Sequence, residues 1–319
     1  MSTIRAALRI VVVGSSNTDM TIKAPRLPRP GETILGGEFL MTAGGKGANQ
    51  AVAAARALDP RSRGEIVFIA RVGDDIFGRK ALEAFKREGI VSDHILKDPD
   101  APSGVALITV DSRGENTITV APGANARISP RDVDAAGHLI ASASVLLMPL
   151  EVPMETIHRA VEIASTRGVR VIINPAPAQP ILGSDLLHHV SILTPNETET
   201  EILTGIRIDH EKDLPAAADA LLAIGLEAVL ITMGSRGVYA ASADLRELVP
   251  AFEVEPVDTT AAGDVFSGTL AVAFAEGKSL AEAARFANAA AALSVTKMGA
   301  QPSAPRRAEI DDFLRRDRS

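Results

Sequence analysis

Val257-Asp258-Thr259-Thr260-Ala261-Ala262-Gly263-Asp264 joins an alternating run, Ala251 to Val257, to an apolar helical pattern, Val265 to Ala275. The run reads as a strand that ends on an acidic residue. Two threonines and two small residues follow, then Gly-Asp at the mouth of a helix. A turn of this kind leaves several backbone N–H groups unpaired, with the positive end of a helix dipole behind them. That is an anion site. Asp264 is a carboxylate set where an anion is expected. Such a pairing suits a base that deprotonates a hydroxyl while a phosphoryl group is held beside it.

Strand–helix units of the same kind run along the chain. Leu8 to Gly14, Glu65 to Ala70, Val145 to Leu150, Val169 to Ile173, Ser191 to Leu193 and Ala228 to Thr232 read as short buried strands. Gly45 to Leu58, Phe77 to Glu88, Pro130 to Ala141, Pro153 to Thr166, Glu197 to Leu203 and Leu214 to Ile224 read as helices. The alternation predicts an α/β fold, a parallel sheet in one three-layer α/β/α domain over residues 1–319. Arg236 to Ala241 and Arg246 to Val249 predict an antiparallel edge. Ser279 to Thr296, opened by a Ser279–Glu282 capping box, and Arg306 to Arg315 are the last helices, with Gly299 as a stop between them. Thr18 to Thr42 and Ile95 to Val120 break the pattern with strand-like runs and turn signals. They predict one small antiparallel sheet built from two excursions. Such a sheet has a face to hide, over an active site, against another copy, or both.

Composition excludes several classes. Hydrophobic residues make up 46% of 319 residues, enough for a sizeable core. The net charge of −7 argues against a nucleic-acid binder. The absence of cysteine removes disulfides, thiol catalysis and cysteine metal sites, and fits a reducing cytoplasm. Met1 to Arg9 does not read as a signal peptide, and no apolar run reaches membrane-spanning length. Aromatic residues are only 3%, which disfavours a stacking pocket for a nucleobase substrate. The six histidines show no metal-ligand spacing. Arg306, Arg307, Arg315, Arg316 and Arg318, with Glu309, Asp311 and Asp312, read as a solvated helix face.

Five further constellations, and a late loop that is the opening run's companion, complete the set. Asn17-Thr18-Asp19 leaves the first strand where open parallel sheets bind ligands, with Asn17 and Asp19 on one face; a plain polar turn is the other reading. Gly44-Gly45-Lys46-Gly47-Ala48-Asn49 opens a helix, allows close backbone approach and supplies a cation. It lacks the spacing of a Walker loop, and the first strand lacks a dinucleotide fingerprint. Glu151 ends a strand, as a helix N-terminal charge or a ligand contact. Asn196 either caps the following helix or, with Glu199, holds water around a magnesium–nucleotide complex. Thr232-Met233-Gly234-Ser235-Arg236-Gly237 is a tight turn whose amides suit nucleotide phosphates. Asp258 and Thr260, with the late loop Lys297 to Ser303, offer oxygens to a monovalent cation.

Taken in chain order, these motifs resemble those of the ribokinase/PfkB family of carbohydrate kinases, from about the first strand to the last helix. Gly299-Ala300-Gln301-Pro302-Ser303 is a further match. The resemblance implies an ATP-dependent transfer of the γ-phosphoryl group to the 5-hydroxyl of D-ribose. A kinase for another free sugar such as 2-deoxyribose, or a non-catalytic sugar-binding regulator, are the alternatives. It implies Asp264 as base, with amides of Ala261, Ala262, Gly263 and Asp264 as anion hole. Asn17, Asp19, Gly45, Lys46, Asn49 and Glu151 match sugar contacts, within segments that also hold Thr18, Gly44, Gly47 and Ala48. Asn196, Thr232, Gly234, Gly237 and Asn288 match the nucleotide side, and Glu199 the magnesium-associated position. Asp258, Thr260, Ser294, Lys297, Gly299 and Ser303 match a potassium site. The excursions match a β lid that also forms a homodimer contact. Many members carry Gly where this chain has Ala261, which bears on whether a left-handed conformation forms there. Ala121 to Asn125 carries no functional reading.

One argument for an unphosphorylated sugar needs no resemblance. Asp19 and Glu151 stand with Asp264 in the expected pocket, and three carboxylates repel a sugar phosphate while accepting hydrogen bonds from neutral hydroxyls.

Overall fold

The computed structural model describes residues 8–178 and 184–317. Met1 to Ala7 and Arg318 therefore lie outside the described residues. Strands β1 (Arg9–Val13), β2 (Asn17–Lys23) and β3 (Phe39–Gly44) precede helix α1 (Lys46–Ala57). Next come β4 (Glu65–Gly73), α2 (Ile76–Arg87), β5 (Ile95–Asp98), β6 (Gly104–Val110) and β7 (Asn116–Ala121). Helices α3 (Pro130–Ala135) and α4 (Gly137–Ala141) lead to β8 (Val145–Pro149), α5 (Met154–Ser165), β9 (Arg170–Asn174), α6 (Ser184–Leu187) and β10 (Ile192–Leu193). They are followed by α7 (Glu197–Thr204), α8 (Leu214–Leu222), β11 (Ala228–Thr232), β12 (Val238–Ser242) and β13 (Arg246–Val249). The chain closes with α9 (Ala262–Ala275), α10 (Leu280–Val295), α11 (Ala300–Ser303) and α12 (Arg307–Arg316).

Nine strands form the main sheet in the order β13-β12-β11-β10-β9-β8-β1-β4-β5, parallel except for the β11–β12–β13 edge. Helices cover both faces because the pleat divides each central strand between two cores. Ile10 and Val12 of β1 enter a core shared with α1, α9 and α10, and Val11 and Val13 enter one shared with α5 and α8. Helix α9 is buried continuously from Asp264 to Phe274, which explains its lack of a polar face. No helix among the described residues is long and apolar enough to cross a membrane.

The two excursions form a second sheet in the order β3-β2-β6-β7. Its outer pairs, β2–β3 and β6–β7, are antiparallel, and the two excursions join through a parallel β2–β6 pairing.

Four expectations are corrected. Ile95–Asp98 belongs to the main sheet, paired parallel with β4, and not to the second excursion. Pro130 to Ala141 is two short helices, broken at Ala136–Gly137. Ala251 to Val257 joins no ladder; Pro250 and Pro256 remove donors, and the segment is held at its ends instead. Asn288 Nδ2 donates to the carbonyls of Val249 and Pro250, and the amides of Val257 and Asp258 donate to Val295. Gly299, at φ 85°, precedes the turn α11 rather than ending α10, which stops at Val295.

Candidate active site

Helices α1 and α9 start at the carboxyl end of the sheet and pack closely at Gly268, where a Cβ would sit 2.4 Å from the carbonyl of Gln50. Asp264 lies one turn earlier on the same face of α9. The close approach therefore lays its carboxylate on the first turns of α1. Asn49 Nδ2 donates to Asp264 Oδ2 at 3.0 Å, and Gln50 Nε2 donates to Oδ1 at 3.1 Å. Behind them Asn174, at the end of β9, donates through Nδ2 to the carbonyl of Thr194 and accepts from Gln50 at 3.1 Å. Asn49 Oδ1 is buried without a protein partner. An orphaned acceptor beside a carboxylate has room in its hydrogen bonding for a hydroxyl, and Gln50 Oε1 is orphaned likewise.

Ala261 caps α9 at φ 61°, ψ 12°, the one non-glycine residue with positive φ among the described residues. An alanine thus takes the left-handed conformation that the turn needs, against a steric cost of about 1–2 kcal/mol. Ala262, Gly263 and Asp264 follow as the first turn of α9; the Ala262 amide donates to the Thr259 carbonyl at 3.3 Å, while those of Gly263 and Asp264 stand at the helix start with no carbonyl of their own helix to bond.

Asp19 packs against Gly44, leaving no room for a Cβ there. Glu151 Oε2 accepts from Ser15 Oγ at 2.5 Å and from the Lys46 amide at 3.0 Å. It is thus a helix N-terminal charge for α1 across the fold, not for the helix that follows it, and its charge acts on both Asp19 and Asp264. Gly45 caps α1; Gly47 packs on Gly14, and Ala48 is a core residue. Thr18 lines a cleft of about 370 Å³ against α2, which Asn17 also borders.

Charge is concentrated here. Burial, then Glu151 and Asp264, push Asp19 up to about 6 against the opposing pull of Lys46. Burial pulls Lys46 down, yet Asp264, Glu151, Glu199 and Asp19 together raise it, so it stays protonated. Burial raises Asp264 too, with Lys46, Asn49 and Gln50 acting the other way. A helix N-terminus alone would hold Asp264 in its ordinary ionised range; desolvation outweighs it and leaves the carboxylate more basic than usual.

Across the first turn of α9 lies a cleft of about 600 Å³. It is lined by Thr232, Gly234, Ser235, Gly237, Gly263 and Asn288 as expected, and by Phe252, Val254, Phe266 and Val295, which the sequence reading missed. Its apolar wall suits a base and its Gly-rich edge a phosphate chain. Met233 is core, and its amide closes the turn onto Gly237. Arg236 pairs with Glu197. Asn196 and Glu199 form a reciprocal capping box, the Glu199 amide donating to Asn196 Oδ1 at 2.8 Å and the Asn196 amide to Glu199 Oε2 at 2.9 Å. The capping reading of Asn196 is thereby realised. Burial raises Glu199, with the Asn196 amide and Lys46 opposing.

Asp258 clamps the opening turn to the late loop. Its Oδ1 accepts from the Thr260 amide at 2.9 Å and its Oδ2 from the Gly299 amide at 2.8 Å. Burial pushes this carboxyl up, but bonds from Thr260 and Gly299 hold it below its usual value. Ser294 and Ser303 are buried, their hydroxyls donating to the carbonyls of Ala291 and Ala300. Lys297 turns to Glu309, at 2.7 Å. Four further polar residues shape the site without an assigned role: Ser15 and Gln50, inside the stretches Gly14 to Asp19 and Ala43 to Gln50, and Asn125 and Asn174, outside any motif given a functional reading. Gln50 and Asn174 had a legible signal, a helix-opening motif and a strand end at the sheet's carboxyl edge.

A cluster of carboxylates around the buried Asp264, beside an apolar cleft and a helix N-terminus, sits in a three-layer α/β fold and is consistent with a phosphoryl-transfer enzyme. The model of pfkB family carbohydrate kinases matches residues 7–307, and the chain belongs to that family. It is a phosphotransferase with an alcohol group as acceptor. A ribokinase of Haemophilus influenzae is 44% identical over 305 residues, covering 96% of this chain and 98% of that protein. A deoxyribokinase of Salmonella typhi is 36% identical over 305 residues, 96% of this chain and 98% of that protein. The solved structure of Arabidopsis thaliana ribokinase complexed with ribose and ATP has a TM-score of 0.89 at 33% identity, covering 97% of this chain and 99% of that one.

Proposed function

We propose that the chain transfers the γ-phosphoryl group of ATP to the 5-hydroxyl of D-ribose, giving ribose 5-phosphate and ADP. The observation that carries this reading is the buried Asp264 carboxylate, held by Asn49 and Gln50 between the acidic pocket and the amides that open α9. Asp264 orients the hydroxyl and takes its proton as the oxygen attacks phosphorus in line. The amides of Gly263 and Asp264, with that of Ala261 at the cap, receive the γ-phosphate, and protonated Lys46 offsets the developing charge. Asn17, Asp19 and Glu151 hold the remaining hydroxyls. Ala106 and Val120 share a register row and a face with Asp19, a small apolar patch for the C–H side of a sugar. Adenine and its ribose take the cleft between the Thr232–Gly237 turn and α10.

Two ions belong to this reading. Glu199 keeps one oxygen outside its capping box, which fits holding water around Mg²⁺ carried by the nucleotide. Mg²⁺ supplies charge neutralisation on the phosphates. Carbonyl and carboxylate oxygens of Asp258, Thr260, Ser294, Lys297, Gly299 and Ser303 fit K⁺ as an all-oxygen set, the Lys297 side chain being turned away. K⁺ supplies a fixed positive charge behind the turn that carries the amides. The reading places the enzyme in the cytoplasm.

The second sheet supports a homodimer. Ile22, Phe39, Met41 and Leu107 are exposed and fall on its face opposite Asp19. An apolar patch of that kind favours a second copy.

The test is ADP release over a panel of free sugars, with and without K⁺. D-ribose is expected to show the highest kcat/KM. A clear preference for 2-deoxyribose overturns the substrate, and no sugar-dependent release overturns catalysis in favour of a binding role.

A further inference from the structure

Asn125 lies in the turn Gly123–Arg127 just after β7, within the stretch that had no functional reading, and is 2% exposed. Its bonds fix its own orientation. The Ser16 amide donates to Asn125 Oδ1 at 2.9 Å, and Asn125 Nδ2 donates to the Ser16 carbonyl at 3.2 Å. Backbone groups have only one polarity, so the amide of Asn125 cannot be reversed. Its Nδ2 must then be the donor to Asn17 Oδ1, at 2.7 Å. The Asn17 oxygen is therefore spent inward, and its NH₂ group remains the donor on the face shared with Asp19. Gly104, the first residue of β6, makes room for this knot. A Cβ there would sit 2.2 Å from both Asn125 Nδ2 and Asn17 Oδ1.

We propose that Asn125 is a positioning residue for the sugar. From the outgoing stem of the small sheet it locks the Asn17 amide so that the sugar meets a hydrogen-bond donor there and not an acceptor. This rests on the reading of Asn17 as a sugar contact. It also ties both stems of the sheet, at Gly104 and at Asn125, to the sugar floor. The pocket is otherwise rich in carboxylate acceptors. A fixed donor favours a sugar that carries an oxygen at that point over one that lacks it.

The test is a set of KM values for sugar and for ATP in Asn17→Ala, Asn125→Ala, Asn17→Ala/Asn125→Ala and Gly104→Ala. Asn125→Ala is expected to raise the sugar KM about 10-fold or more while the ATP KM stays within about 2-fold, the size of a lost oriented hydrogen bond. The double variant is expected to be no worse than Asn17→Ala alone, because Asn125 acts through Asn17. Gly104→Ala keeps both amides but forces them apart. It is expected to raise the sugar KM alone, and it decides the matter if Asn125→Ala does not fold. An Asn125→Ala enzyme with unchanged sugar KM, or single effects that multiply in the double variant, overturns the role of Asn125 and leaves that of Asn17 standing. An Asn17→Ala enzyme with unchanged sugar KM overturns the sugar contact itself and this inference with it.

Discussion

Gln50 Nε2 stands 3.1 Å from Oδ1 of Asp264, and the direction of that bond is set from the end of β9. Asn174 donates to the Thr194 carbonyl, so its oxygen faces Gln50, and Gln50 can only donate. Gln50 thus stabilises the ionised form of a base that burial otherwise raises. Gln50→Leu removes the donor, so the Asp264 pKa rises further. The acid limb of the kcat/KM–pH profile is expected to move to higher pH, with kcat down about 10-fold at neutral pH. An unmoved limb contradicts this role.

Ala261 holds a left-handed conformation at φ 61°. Ala261→Gly relieves about 1 kcal/mol of strain, partly offset by the looser unfolded chain. Ala261→Val adds a β-branched side chain where it fits worst. Calorimetric melting is expected to place the glycine variant level with or above the parent, and the valine variant below it by about 2 kcal/mol or more. The reverse order contradicts the backbone described.

Asp19 has a folded pKa of about 6, above its unfolded value. Its protonated form is the one the fold prefers. Stability from this group is therefore complete below about pH 4 and is lost as pH rises through about 6. Asp19→Asn is expected to match the parent near pH 4 and exceed it above pH 6 by on the order of 1–3 kcal/mol, while losing sugar affinity. A difference independent of pH in denaturant titrations contradicts the assignment.

Asp258 links Thr260 to Gly299 through both carboxylate oxygens. The parent enzyme is expected to turn over faster in K⁺ than in Na⁺, and Asp258→Ala to lose that difference with little change in the ribose KM. Equal rates in the two salts for the parent remove the cation site.

The main sheet was legible because its strands are short apolar runs separated by helical periods, and their burial follows that pattern. The candidate site was legible as a set of segments, and the structure brings Gly44 to Asn49 against Ala261 to Asp264 through the Asn49–Asp264 bond. What escaped was set at long range. Ile95–Asp98 has no sequence mark that assigns it to β4 rather than to the small sheet. Ala251 to Val257 alternates like a strand but lies where tethers from Asn288 and Val295, not a ladder, hold it. Asn125 and Asn174 look like ordinary loop and strand-end residues, and only the fold brings them to Asn17 and Gln50. Whether Ala261 adopts positive φ was undecidable from residue type, because the turn imposes it.

The central claim is that Asp264 takes the proton from a free sugar hydroxyl. Asp264→Asn keeps the shape and removes the base. The decisive measurement is single-turnover phosphorylation of D-ribose by this variant, alongside calorimetric binding of ribose. The account predicts a rate lower by on the order of 10²-fold or more with binding retained. Undiminished turnover with the same binding contradicts it.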